Sequence, residues 1–269
     1  MFFDSHCHLS FPELQADWPN IRSAMATAGV DRALCICTTL EEFPQVHALA
    51  LANDNLWASA GVHPDNEDVQ EPTLEWLLEL AARPKVVAIG ETGLDYYRLN
   101  GRSVAEMEWQ RERFRTHIQA SRANGLPLII HTRSASADTL AILREQGGDN
   151  GVFHCFTETM DTARGALDLG FYISFSGILT FKTAKDLREV AAYVPLDRCL
   201  IETDSPYLAP VPFRGKTNTP ALVPYVAQQL AEIKGLPVEE VAAITTANTE
   251  RLFKLPPLPK ATSNQLQAR

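Results

Sequence analysis

Val86-Val87-Ala88-Ile89-Gly90-Glu91 is an apolar run that ends on a carboxylate. A strand with one wet face alternates apolar and polar residues. A run that is apolar at every position reads instead as a strand buried on both faces, the condition of a parallel sheet. Leu128-Ile129-Ile130 repeats the pattern and ends on His131. Working outward from these two, Met1–Asp4, Ala33–Thr38, Leu56–Val62, Gly151–Phe156, Tyr172–Phe175 and Cys199–Glu202 bring the strand candidates to eight.

Helical patterns alternate with them. The clearest is Ser103–Asn124, with Met107, Phe114 and Ile118 at helical spacing and Gly125 just past the end. Pro72–Ala82, Ser136–Gln146, Glu158–Leu169 and Lys182–Tyr193 are shorter. A proline-rich irregular stretch, Ser205–Pro220, follows the eighth strand, and helices near Leu222–Ile233 and Pro237–Leu252 close the pattern. Eight alternations without a linker or composition break predict an α/β protein, a (β/α)8 TIM barrel formed by residues 1–255 as one catalytic domain. Pro256-Pro257-Leu258-Pro259 then opens a polar tail over 256–269, expected to be disordered. An open doubly wound sheet is the runner-up, but no glycine-rich phosphate loop follows the first strand.

The 269 residues suit one barrel, and 45% hydrophobic with 21% charged suits a globular core. No apolar run is long enough to span a bilayer, and the N-terminus lacks a basic region followed by an apolar stretch. Five cysteines without paired-metal spacing argue against a disulfide framework and for a reducing cytoplasm. The formal charge of −9 excludes broad coating of nucleic acid by neutralised phosphates. It leaves room for a phosphate-bearing substrate gripped by a few cations and a metal.

Chemistry gathers at the strand ends. In Asp4-Ser5-His6-Cys7-His8, residues two apart face one side of an extended chain, so His6 and His8 can reach one ion. Asp4 shares that parity and is expected to orient an imidazole from behind. The plainer alternative is a pair of surface histidines in a turn. Glu91 at the end of a buried strand needs compensation, which a metal or a rim salt bridge would supply. Asp95 is expected to cap the next turn or to support the site from behind. His131 and His154 stand at the ends of consecutive strands. Either alone reads as a core histidine; together with Glu91, His6 and His8 they read as ligands. Glu202 and Asp204 share parity. The one nearer the C-terminal end, Asp204, is the expected ligand and general base, with Glu202 packing lower and pairing with a cation.

Six ligands exceed one tetrahedral zinc. Two ions roughly 3.5–4 Å apart would use them. Imidazole favours zinc, manganese or iron, and the carboxylates would admit magnesium.

These residues, with Gly61-Val62-His63-Pro64, Gly90-Glu91-Thr92-Gly93-Leu94-Asp95-Tyr96-Tyr97, His131-Thr132-Arg133, His154-Cys155-Phe156 and Glu202-Thr203-Asp204-Ser205-Pro206-Tyr207, resemble the TatD family from about residue 1 to 255, and within it the YjjV branch. The resemblance implies an amidohydrolase-like barrel, a metal-dependent hydrolase and a deoxyribonuclease-like activity, an exonuclease acting from the 3′ end of single-stranded DNA. It implies that His6, His8 and Asp204 serve one metal and His131 and His154 the other, with Glu91 bridging. Two departures stand out. Thr157-Glu158-Thr159 replaces a small, glycine-containing stretch, and Arg214-Gly215-Lys216-Thr217-Asn218-Thr219-Pro220 loses one basic and one acidic position of the family pattern.

The expected reaction is phosphodiester hydrolysis on DNA ends or short oligonucleotides, with no membrane and no obligate protein partner. Arg133, Arg214 and Lys216 are expected to grip phosphates, or else to be ordinary solvated charge. His63 is expected to touch substrate, or else to shape its turn. Tyr96 and Tyr207 are expected to stack on a base, or else to cover the barrel mouth. The rival enzyme class is amide or lactone hydrolysis. Related barrels often carry a modified lysine where Glu91 stands, which favours phosphoesters. A metal-storing barrel without catalysis is the third reading, and it would need closed coordination.

Overall fold

The computed structural model describes residues 1–256, so the tail expected over 256–269 lies outside the described residues except for Pro256. Eight strands form one parallel sheet in sequence order: β1 (Phe2–Cys7), β2 (Val30–Cys35), β3 (Leu56–Ala60), β4 (Val86–Asp95), β5 (Leu128–Arg133), β6 (Gly151–Phe153), β7 (Tyr172–Phe175) and β8 (Cys199–Ile201). The last strand returns to the first. The Asp204 amide donates to the His6 carbonyl at 3.0 Å and the His8 amide to the Ser205 carbonyl at 2.8 Å. Cys7 and Ser205 form a parallel bridge. The sheet is therefore a barrel with helices outside it, as the continuous apolar runs predict.

Each strand places one residue in a compact interior layer: Phe3, Leu34, Trp57, Ala88, Ile129, Val152, Tyr172 and Leu200. A larger apolar layer fills the space between strands and helices. With both faces buried, no strand has a wet side, which is why alternation is missing from the sequence.

The boundaries differ from expectation where the site begins. β4 does not stop before Glu91 but runs through it to Asp95, with an irregular register against β5 between Ile89 and Thr92. Gly93 makes that close approach possible. Its φ is +130°, and an added Cβ would lie 2.0 Å from the His131 carbonyl oxygen. The expected helix Ser103–Asn124 is a 3₁₀ turn (Val104–Met107), opened by a Ser103/Glu106 capping box, followed by an α-helix (Glu108–Asn124). Helices at Trp18–Ala28 and Phe43–Leu51 are additional to those expected. Pro19 and Pro44 sit in their first turns, where a missing N–H costs nothing, and Gly29 at φ +71° ends the first of them.

Candidate metal centre

The C-terminal ends of the strands open into a cavity of about 670 Å³. At its floor stands Glu91, which is 3% exposed. Its two oxygens face different partners. Oε2 lies 3.3 Å from His6 Nε2 and 4.0 Å from His8 Nε2. Oε1 lies 2.7 Å from His154 Nε2 and 3.3 Å from both His131 Nδ1 and His63 Nε2.

The first half of the site comes from β1 and the segment after β8. His6 and His8 Nε2 are 3.3 Å apart, as two-residue parity in an extended strand requires. Asp204 Oδ1 is 3.3 Å from His8 Nε2 and 3.5 Å from His6 Nε2. The backbone of Asp204 adopts φ +55°, a conformation uncommon for a residue with a Cβ and costly unless its surroundings impose it. The two backbone bonds that close the barrel impose it here.

Asp4 does not orient an imidazole. Its carboxylate accepts from the Thr203 amide at 2.9 Å, the Thr203 hydroxyl at 2.5 Å and the His6 amide at 3.3 Å. It points across the β1–β8 seam, away from the rings, and fixes the segment that carries Asp204. Burial pushes its pKa up to about 8, against those hydrogen bonds.

The second half comes from β4, β5 and the loop after β3. His131 Nε2 donates to Asp95 Oδ2 at 3.0 Å, which leaves Nδ1 facing Glu91. His63 Nε2 is 3.3 Å from His131 Nδ1, so His63 stands in the ligand-type cluster, and it lines the cavity as well. The sequence signal was available: Gly61-Val62-His63 also ends a buried strand. His154 lies between the halves, its ring stacked on His6 at 3.9 Å. Its Nδ1 faces Glu202 Oε1 at 3.2 Å, and the Cys155 amide donates to the same oxygen at 2.7 Å. Glu202 thus packs lower and holds an imidazole.

The loops of the second half are tied to the helix Glu108–Asn124. His117 accepts from the Val62 amide at 3.0 Å and donates to the Arg113 carbonyl at 2.8 Å. Arg113 Nη1 donates to the His63 carbonyl at 2.9 Å and the Asn66 carbonyl at 2.8 Å. Gln110 Oε1 accepts from the Asp95 amide at 2.9 Å.

The donor set fits a cation. His154 commits Nδ1–H to Glu202, so Nε2 of the neutral ring carries a lone pair. That atom is buried, 2.7 Å from a carboxylate oxygen, and without a hydrogen-bond partner. Two lone pairs in that position need a proton or a cation between them. Electrostatics agree. Burial alone would raise the Glu91 pKa, but His154, His63 and His6 outweigh it and hold the carboxyl well below its ordinary range. Burial likewise opposes protonation of His154, and Glu91 and Glu202 override it upward. Among the described residues, three groups place imidazole nitrogens and carboxylate oxygens within 4.8 Å of one another: His6/His8/Asp204, His63/Glu91/His131 and His6/His154/Glu202.

The residues expected to hold substrate divide. Arg133 and Tyr207 line the cavity. Tyr96 does not. Its ring is packed in the core, and its hydroxyl donates to Asp138 at 2.7 Å and accepts from Arg111 at 2.9 Å. The next residue, Tyr97, is the exposed one, with the Arg133 guanidinium 3.6 Å from its ring centroid. Strand β4 continues through Glu91, and side-chain alternation sends Tyr96 inward. Arg214 and Lys216 are exposed outside the cavity, Arg214 over the Phe181 ring at 4.1 Å and Lys216 5.9 Å from the Phe213 ring. Asn218, from the same loop, is buried and donates to the Thr203 and Tyr207 carbonyls at 2.9 and 2.7 Å. Phe11 and Arg98, missed from the sequence, also line the cavity.

A parallel barrel with imidazoles and carboxylates converging at its C-terminal mouth belongs to the metal-dependent hydrolases. The family model for TatD-related DNases matches residues 3–254, and the chain belongs to that family. It is 50% identical to the uncharacterized metal-dependent hydrolase YcfH of Escherichia coli K12, over 94% of this chain and 95% of the relative. The crystal structure of the TatD homolog YjjV from Escherichia coli K12 superposes with a TM-score of 0.86 at 32% identity, covering 95% of this chain and 98% of that one. A relative from Escherichia fergusonii, 33% identical over 93% of this chain and 98% of its own, is named a 3′-5′ ssDNA/RNA exonuclease.

Proposed function

We propose that this protein is a divalent-metal-dependent phosphodiesterase that removes nucleotides from the 3′ ends of DNA or short oligonucleotides. The observation that carries this reading is the division of Glu91, one oxygen towards His6 and His8 and the other towards His63, His131 and His154. In this reading His6, His8 and Asp204 would hold one ion and His131 and His154 a second, with His63 beside the latter and Glu91 shared by both. Zinc, manganese and magnesium are the candidates. When bound, such ions supply charge that acidifies water and neutralises phosphoryl oxygens.

The chain's own groups do the rest. Asp204, at the mouth and partly open to the cavity, takes the proton of the water whose oxygen bonds to phosphorus. The bond from phosphorus to the leaving oxygen breaks, and Asp204 returns the proton to that oxygen. Arg133 holds a phosphate by charge-assisted hydrogen bonds. Glu202 and Asp95 keep His154 and His131 in the right orientation and tautomer. We read residues 1–255 as one catalytic domain. A reducing cytoplasm suits its five free cysteines, and no helix among the described residues is long and apolar enough to cross a membrane.

The test incubates metal-defined protein with labelled single- and double-stranded DNA and RNA, a lactone and a dipeptide, beside Asp204→Asn. Mononucleotide release from single-stranded 3′ ends that disappears in the variant is expected. Turnover of the carbonyl substrates alone would overturn the reading.

A further inference from the structure

The cavity has two unlike walls. One rises beside the first half of the site. Phe11 lies three residues beyond His8 and stacks on its ring, with centroids 4.7 Å apart and planes at 23°. Tyr207 lies three residues beyond Asp204, whose carbonyl accepts its amide at 3.0 Å. The two aromatic rings meet edge to face at 6.2 Å. Tyr207 is 55% exposed, a large apolar face left open at the mouth of a polar site. Ile178 and Leu208 extend this uncharged wall.

The opposite wall rises beside the second half and is cationic. Arg133 follows His131 by two residues and pairs with Asp95 in the β4–β5 register. Its guanidinium is exposed and spread on Tyr97. Arg98 joins it in the lining, loosely held by Asp65 at 3.4 Å. A guanidinium stacked on a ring keeps its edge donors free for oxyanions.

Resting on the phosphodiester reading, we infer that Phe11 and Tyr207 form a nucleobase subsite on the His8 and Asp204 side of the scissile phosphate, while Arg133 and Arg98 take a neighbouring phosphate on the other side. An all-phosphate ligand would leave the aromatic wall unused, and an apolar ligand would leave the guanidinium groups unpaired. A nucleotide strand with unstacked bases satisfies both walls. Apart from the Tyr207 hydroxyl, the rings of Phe11 and Tyr207 offer only their faces, so stacking accepts any base. A base inside a duplex has both faces covered, so the subsite requires a single-stranded end.

Binding separates the parts. The probes are a phosphorothioate-linked thymidine hexamer and an abasic hexamer with the same linkages, titrated by fluorescence anisotropy into metal-loaded protein. The base-bearing hexamer should bind about ten-fold or more tightly. That preference should collapse in Tyr207→Ser and in Phe11→Leu and survive in Tyr207→Trp, which keeps a stacking face. Arg133→Gln should weaken both hexamers by the same factor and flatten the salt dependence. A single 2-aminopurine at the bound end should be quenched by the parent protein and not by Tyr207→Ser. Equal binding of the two hexamers, or a preference untouched in both aromatic variants, would overturn the subsite and leave the phosphodiester reading standing. Failure of both hexamers to bind would overturn that reading as well.

Discussion

The two halves of the site present the same kinds of side chain but differ in how far side-chain tethers hold them. His6, His8 and Asp204 stand where the barrel closes, and the main chain sets them there through the bonds from Asp204 to His6 and from His8 to Ser205. Asp4 and Thr203 reinforce that seam. His63 and His131 have main-chain bonds too, the His63 amide to the Thr38 carbonyl at 2.9 Å and the β4–β5 ladder at His131. Their segments also lean on several side chains, with Asp95 behind His131 and with Gln110, Arg113 and His117 on one helix. A ladder bond survives any side-chain change that keeps the backbone N–H, whereas a side-chain tether is lost with one mutation. The second half should therefore fail more readily than the first.

The largest effect falls where the halves share a task. Asp204→Asn keeps the seam, because its amide bond to His6 belongs to the backbone, and should lower kcat by about 10²–10⁴-fold, the usual worth of a positioned proton acceptor. Steady-state kinetics together with a thermal melt will check this. Full activity would remove Asp204 from the role of base.

His131→Ala separates the halves directly. Metal analysis after loading should lose one of the two proposed positions while the His6/His8 side stays filled. An unchanged metal-to-protein ratio would strike His131 from the ligand set.

Acid should strain the second half through His117. Burial pushes its pKa down from 6.5 to about 4. Between those values the unfolded chain takes up a proton that the folded chain refuses. The stabilisation is thus complete above pH 6.5 and lost as the pH falls towards 4, by about 3 kcal/mol at most. Urea unfolding of the parent and of His117→Gln at pH 7 and pH 4.5 should show a shallower pH dependence in the variant. Parallel curves would mean that His117 is protonated in the fold.

The finest test compares two tethers. Arg113→Ala should destabilise by about 2 kcal/mol, the worth of a buried hydrogen bond to a charged group, and Thr203→Val by about 1 kcal/mol, because burial keeps its partner Asp4 largely protonated at pH 7. Arg113→Ala should also weaken cation binding at the His63/His131 side in calorimetric titrations. Thr203→Val should leave the His6/His8 side intact, because the ladder remains. The reverse pattern would refute the contrast between the halves.

Much of this was legible in the residues themselves. Unbroken apolar runs such as Val86–Ile89 give buried parallel strands, because only strands covered on both faces lack alternation. The parity of His6 and His8 gives a shared direction, because successive side chains in a strand point to opposite faces. The TatD motifs gave the family. Other features depend on partners far away in the chain. Asp4 answers to Thr203 across the seam, and nothing near either residue announces the bond. Tyr96 and Tyr97 are adjacent and alike in sequence, and only the continuation of β4 past Glu91 turns one inward and the other out. His63 reads from its sequence as a substrate contact or a turn residue, and only β3 and β5 set it against His131. Residue type and local spacing thus determined the barrel and its chemistry. Which carboxylate faces which imidazole, and which aromatic ring reaches the cavity, was decided by the closure of the sheet, because that alone brings residues nearly 200 positions apart within hydrogen-bonding distance.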